Sequence, residues 1–191
     1  LSTNTISEGG AMHLPNFTNG YLYEADYREF NRYKTALLFE AACHTGALLA
    51  NQQTSTMDAT QIESIRRFGL HFGLAYQLLD DWLDYNGNSE SMGKNIGDDL
   101  AEGKLTLPLI YALQNAEITD QAVIRNAIAH KDVTALGDVL RIVNQCGGLT
   151  YTQSCAKQEI ETALHCLNQV PENDYQQALI QLSHYSLSRL G

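Results

Sequence analysis

Gln77-Leu78-Leu79-Asp80-Asp81-Trp82-Leu83-Asp84-Tyr85 sets three carboxylates at i, i+1 and i+4 in an otherwise apolar run that ends at the breaker Asn86-Gly87-Asn88. Upstream, Ile62, Ile65, Phe68, Phe72, Ala75, Leu79, Trp82 and Leu83 recur at helical spacing with no proline among them, which predicts one helix over about Thr60 to Tyr85. At about 100° per residue, Gly73, Gln77, Asp80, Asp81 and Asp84 fall in one narrow stripe, and the remaining faces are mostly apolar. A helix that is apolar nearly all round is buried. The acidic stripe is therefore expected to face an internal cavity.

Electrostatics sharpens that expectation. The three carboxylates sit at the C-terminal end of the helix, where the macrodipole is already negative, and they repel one another. A bound divalent cation relieves both penalties. Hard oxygen ligands, with no Cys or His nearby, favour Mg2+ over zinc. The competing reading is a solvated helix end with ordinary surface acids, and it fits poorly with large apolar side chains flanking the stripe.

Working outward, only three prolines occur, at 15, 108 and 171, and strand-like alternation is scarce, so the fold class is all-α. Leu1 to Leu14 reads as the tail of a helix running into the loop Pro15 to Gly20, and a long helix is expected over about Tyr21 to Ala50. A polar link at Asn51 to Ala59 leads into the acidic helix, and a glycine-rich loop spans Asn86 to Gly103. Leu105 to Asn115 is apolar and helical if Pro108 lies in its first turn. Shorter amphipathic helices are expected at about Asp120 to His130, Val133 to Cys146, Leu149 to Val170 and Glu172 to Leu190, with Gly147-Gly148 and Pro171 as separators. There is no internal repeat.

The chain of 191 residues suits one domain with a sizeable core. A net charge of −10 argues against nucleic acid, whose phosphates demand a basic surface, but leaves room for a local basic patch facing a small phosphorylated ligand. The four cysteines, Cys43, Cys146, Cys155 and Cys166, show neither CxxC pairing nor zinc-like spacing with the histidines, so they are expected to be reduced core residues of a cytoplasmic protein. No apolar run reaches membrane-spanning length.

Two further features carry chemistry. Lys34-Thr35 lies mid-helix, and Lys34 shares a face with Leu38, Ala41 and Thr45, so its ammonium either lines a cavity and needs an anion or snorkels at the surface. The loop Ser91-Met92-Gly93-Lys94-Asn95-Ile96-Gly97-Asp98-Asp99-Leu100-Ala101-Glu102-Gly103-Lys104 puts flexible glycines and the cations Lys94 and Lys104 directly after the acidic helix. Carboxylates, magnesium and converging lysines are what a diphosphate requires. His71 and His44 read as hydrogen-bonded core histidines, and Trp82 as core. Tyr76 reads as core or as a cavity-lining aromatic.

Tyr76 to Asp84 resembles the second aspartate-rich motif of trans-isoprenyl diphosphate synthases. Gly93 to Pro108 is similar to the segment that follows it, in the form typical of medium- and long-chain members, and Lys34-Thr35-Ala36-Leu37-Leu38-Phe39 resembles the family's lysine-threonine motif. The likeness runs from Ile6-Ser7-Glu8-Gly9 to the end of the chain. The family's first aspartate-rich motif, and the basic residues that hold isopentenyl diphosphate, have no counterpart here.

This resemblance implies an antiparallel helical bundle of the isoprenoid-synthase type around a central cavity, with residues 1–191 as the C-terminal part of a single domain. It implies Mg2+-dependent elongation of an allylic diphosphate by isopentenyl diphosphate to an all-trans polyprenyl diphosphate, with an octaprenyl product for quinone side chains expected. Asp80 would ligate magnesium directly, and Asp81, Asp84 and Asp99 would support it directly or through water. Lys34, Lys94 and Lys104 would grip the leaving diphosphate, Thr35 and Gln77 would steady the developing cation, and Tyr76 would line the substrate cavity. A homodimer is expected. The 191-residue chain alone is expected to bind magnesium-diphosphate weakly without turnover. A shorter-chain synthase, a terpene cyclase, a non-catalytic partner subunit and a ligand-free bundle are the alternatives.

Overall fold

The computed structural model describes residues 24–86 and 96–190, which are all-α and carry no strand among them. The expectations for Leu1 to Leu14, for the loop at Pro15 to Gly20 and for Lys94 lie outside these residues. Nine α-helices are described: α1 (Glu24–Asn31), α2 (Leu37–Thr54), α3 (Ala59–Tyr85), α4 (Asp98–Glu102), α5 (Leu107–Asn115), α6 (Ile118–His130), α7 (Leu136–Gln145), α8 (Gly148–Leu167) and α9 (Asp174–Ser188).

Two differences from the sequence expectation bear on function. The helix expected over Tyr21 to Ala50 contains a π-helical segment at Arg32–Ala36, where the Leu37 N–H reaches back to the Arg32 carbonyl. That wider turn carries Lys34 and Thr35. No glycine or proline announces it, so periodicity alone could not reveal it. The second difference lies in the expected loop at Asn86 to Gly103, whose last part is the short helix α4, entered through Gly97 and left through Gly103.

The remaining elements follow from local rules. Asp58 and Gln61 form a capping box at the start of α3: the Gln61 N–H donates to Asp58 Oδ1 at 2.9 Å and the Asp58 N–H donates to Gln61 Oε1 at 3.0 Å. Pro108 occupies the first turn of α5, where its missing N–H costs nothing. Asn173 caps α9 by accepting from the N–H groups of Tyr175 and Gln176.

The described residues form two compact units, one of residues 29–77 and 155–190, the other of 24–28, 78–86 and 96–154. In the first, Phe68, Phe72 and Ala75 of α3 pack on Ile160, Ala163 and Leu167 of α8. Each phenylalanine buried this way contributes about 1.5–3 kcal/mol. Phe39 of α2 joins them through ring contacts to Phe72 at 5.7 Å and to Tyr76 at 5.5 Å. Two glycines allow α2 and α3 to approach: a Cβ on Gly69 would lie 2.5 Å from the Phe39 carbonyl oxygen, and one on Gly73 would lie 2.8 Å from the Ala36 Cα. Buried Glu40 pairs with Arg66 across the same two helices. The second unit is organised by α5, α6 and α7, with Leu107, Ile110, Ile124, Val139 and Ile142 buried between them.

Candidate active site

In the first unit the wide π turn presents Thr35 to α3, and Thr35 Oγ1 donates to Gln77 Oε1 at 3.0 Å. Accepting that bond turns the Gln77 oxygen toward Thr35. Lys34 is exposed, and its Nζ lies 5.5 Å from the centre of the Phe30 ring. A cation over an aromatic face is held by the ring quadrupole. Tyr76 is 45% exposed despite its contact with Phe39, so it is not a core residue.

His71 is hydrogen-bonded as expected, with Nδ1 2.8 Å from Glu159 Oε2, but it is only partly buried. An open apolar cavity of about 620 Å3, bordered by Cys43, Gly46, Met57, Val170 and Leu179, is lined by none of the candidate residues. None of the four cysteines forms a disulfide. Burial pushes Cys43, Cys146 and Cys166 up from the ordinary thiol range.

In the second unit the carboxylates are sorted by what they touch. Asp81 is 2% exposed and accepts a hydrogen bond from the hydroxyl of Tyr27, itself 3% exposed. Tyr27 lies 54 residues upstream, within the helix expected over Tyr21 to Ala50. Asp84 faces the chain that returns after the glycine-rich segment. Its Oδ1 accepts the Asp98 N–H at 3.1 Å, its Oδ2 accepts the Asp99 N–H at 3.2 Å, and its main-chain oxygen accepts the Gly97 N–H at 3.1 Å. Gly97 makes this turn with φ +84°, a conformation that L side chains rarely adopt.

Asp99 in turn accepts from Lys104 Nζ at 3.0 Å, and Glu102 lies 2.7 Å from the same ammonium. Of the three ammonium protons, these carboxylates take two.

The charges of this cluster oppose one another. Burial raises Asp84 to about 6, the Asp99 and Asp98 charges push the same way, and the two backbone N–H bonds only partly offset them. Burial likewise raises Asp99; Lys104 opposes the rise, and the Asp80 and Glu102 charges add to it. Burial works against the Lys104 ammonium, but its bonds to Glu102 and Asp99 prevail and hold its pKa above the usual lysine value. Tyr85 is raised by burial and by the neighbouring Asp84 and Asp99 charges, so it remains a neutral phenol.

Does this set suit magnesium? Among the described residues, no three Asp, Glu, His or Cys side chains converge as a ready-made metal cage. The donors are nevertheless hard oxygens whose mutual repulsion a cation would relieve. Magnesium is commonly held by one or two carboxylates with substrate phosphates and water completing its shell. The residues fit a site of that kind, in which Asp80 and Asp99 would be the protein donors.

The family model described as polyprenyl synthetase matches residues 2–146 of this chain. The chain belongs to the polyprenyl synthetase family. Similar members include an octaprenyl diphosphate synthase of Haemophilus influenzae, 38% identical over 189 residues that cover 98% of this chain and 56% of that relative. An all-trans-nonaprenyl-diphosphate synthase of Rhodobacter capsulatus is 41% identical over 192 residues, with 100% of this chain and 57% of that relative covered.

Among solved structures, the polyprenyl synthase of Caulobacter crescentus in complex with calcium and isoprenyl diphosphate superposes with a TM-score of 0.87 at 34% identity, covering 100% of this chain and 57% of that one. A decaprenyl diphosphate synthase of Rhodobacter capsulatus gives a TM-score of 0.87 at 31% identity, covering 100% of this chain and 57% of that one. The chain thus spans a little over half the length of the relatives it matches. The all-α class expected from the sequence holds for the described residues of this chain.

Proposed function

We propose that this chain carries the diphosphate-binding half of a trans-polyprenyl diphosphate synthase, which joins an allylic diphosphate to isopentenyl diphosphate and makes a medium- or long-chain product. In a chain of this family, one observation carries the reading: the aspartate-rich end of α3 receives α4 back onto it, so that Asp84, Asp99 and Lys104 form one bonded series. The octaprenyl and nonaprenyl names of the relatives support a product of that length, and we assign it to quinone side chains.

When bound, Mg2+ supplies Lewis-acid neutralisation of the departing diphosphate. The chain's own residues do the rest by position and charge. Asp80 and Asp99 present oxygen donors. Lys104 offers its third proton to a phosphate oxygen, with Lys34 and Lys94 adding further cations. Asp81, fixed by Tyr27, contributes negative charge from behind. Thr35 orients Gln77 so that its amide oxygen steadies positive charge on the allylic carbon, and Tyr76 offers an aromatic face to the prenyl chain.

Leu38, Leu48 and Leu49 of α2 are 50%, 43% and 57% exposed, which supports a homodimer joined through apolar surface. No helix among the described residues is long and apolar enough to cross a membrane; we place the enzyme in the cytoplasm, with its product passing to a membrane.

The deciding experiment incubates the complete synthase, of which this chain is proposed to be the diphosphate-binding half, with an allylic diphosphate, labelled isopentenyl diphosphate and Mg2+, and analyses the products by chain length. Linear polyprenyl diphosphates that vanish with chelator or with Asp80→Asn are expected. A cyclic hydrocarbon, or no incorporation of label, would overturn the reading.

A further inference from the structure

The three aspartates of Asp80-Asp81-Trp82-Leu83-Asp84 look equivalent in the sequence, yet they do not do the same work. Asp84 spends both carboxylate oxygens and its main-chain oxygen on three consecutive residues: Gly97 N–H at 3.1 Å, Asp98 N–H at 3.1 Å and Asp99 N–H at 3.2 Å. Downstream, the Lys104 N–H donates to the Asp99 carbonyl at 2.8 Å and Lys104 Nζ to Asp99 Oδ1 at 3.0 Å. Lys104 is thus placed through Asp99, and Asp99 through Asp84. A cation on the Asp84 oxygens would have to share them with two N–H groups whose positive ends point at the same atoms.

We infer that Asp84 is a positioning residue, a clamp that fixes Gly97 to Asp99 and thereby aims Asp99 and Lys104 at the diphosphate, and that it is not a metal ligand. The diphosphate part of this statement rests on the proposed function; the clamp itself rests on the contacts alone. The i+4 spacing then has its own cause: one turn beyond Asp80 on the same helix face, Asp84 sits where the returning chain at Gly97 to Asp99 meets the helix. Asn at this position would keep one acceptor but turn its amide N–H2 against the other backbone N–H, so Asp84→Asn opens the clamp while changing little in volume.

Two readouts on the full chain test this. In native-state hydrogen exchange, the Asp98 and Asp99 amides should exchange on the order of tenfold faster or more in Asp84→Asn, the effect of losing a charge-assisted hydrogen bond, and at the parent rate in Asp80→Asn. Inorganic diphosphate binding with saturating Mg2+ then separates a clamp from a ligand. If Asp84 acts through Lys104, the losses in Asp84→Asn and Lys104→Ala should not add in the double variant. If it ligates the metal independently, they add, and the inference falls.

The unmutated chain gives a check free of folding effects. Its Asp98 and Asp99 amides should stay protected when Mg2+ and diphosphate are added, and their release would show the carboxylate leaving them for the metal. Should the parent chain bind no diphosphate, the prenyl-transfer reading fails, and the exchange rates still decide the clamp.

Discussion

Replacing Gly73 by alanine should destabilise the first unit even though alanine is the better helix former. The added Cβ would lie 2.8 Å from the Ala36 Cα and 3.0 Å from Phe39 Cδ2, and Ala36 is 0% exposed. Ordinary carbon contacts lie at about 3.5–4.0 Å, so α2 must move away from α3 by about 0.7 Å or more. Overpacking costs about 1–3 kcal/mol, and a clash with buried main chain lies toward the upper end, about 2–3 kcal/mol, against about 1 kcal/mol gained in helix propensity. The expected net loss is about 1–2 kcal/mol.

Gly46 of α2 is the matched control, because a Cβ there meets nothing within 4 Å. Gly46→Ala should gain about 0.5–1 kcal/mol from propensity alone. Urea denaturation of both variants, read at constant m-value, should therefore give shifts of opposite sign. The same displacement would stretch the Thr35–Gln77 bond from its 3.0 Å beyond hydrogen-bonding range, so the penalty of Thr35→Val should shrink in the Gly73→Ala background. A Gly73→Ala chain as stable as its parent, alongside a stabilised Gly46→Ala chain, would refute the close-approach reasoning.

Tyr27→Phe keeps the ring but removes the donor to the buried Asp81 carboxylate, and should cost about 1.5–3 kcal/mol in the same denaturation assay; a loss under about 0.5 kcal/mol would count against it. Stability should also respond to pH through Asp84, raised from its ordinary 3.8 to about 6 in the native chain. Over that interval the native state holds the proton more tightly than the unfolded state. Its contribution is therefore fully present below about pH 3.8, falls as pH rises through about 6 and is level above it. The shift corresponds to at most about 3 kcal/mol, reduced to about 1–2 kcal/mol because the side chain is only half-buried and solvent screens it. Thermal melting of the parent and of Asp84→Asn between pH 4 and 7 should show a stability difference that changes with this slope, and a flat difference would contradict the assignment.

The all-α class and the course of α3 were legible because they rest on local rules: apolar spacing from Ile62 to Leu83 and the stop at Asn86. Thr35 and Gln77 could be singled out by motif, but the π turn that presents Thr35 could not, since Arg32-Tyr33-Lys34-Thr35-Ala36 contains no residue that forces one. Tyr27 was illegible as a partner for Asp81 for a different reason: a pair 54 residues apart is decided by packing, and an isolated tyrosine at helical spacing looks like any other core residue.

Asp84 shows the deeper limit. In sequence it is a third carboxylate in an acidic cluster, and mutual repulsion suggests one remedy, a cation. The folded chain supplies another remedy by turning at Gly97 and presenting two backbone N–H groups to the same carboxylate. Both remedies satisfy the same electrostatics. Only the return of the chain, a matter of topology, distinguishes a residue that binds the metal from one that holds Asp99 and Lys104 in place, and that difference decides which aspartate can be replaced without losing the metal.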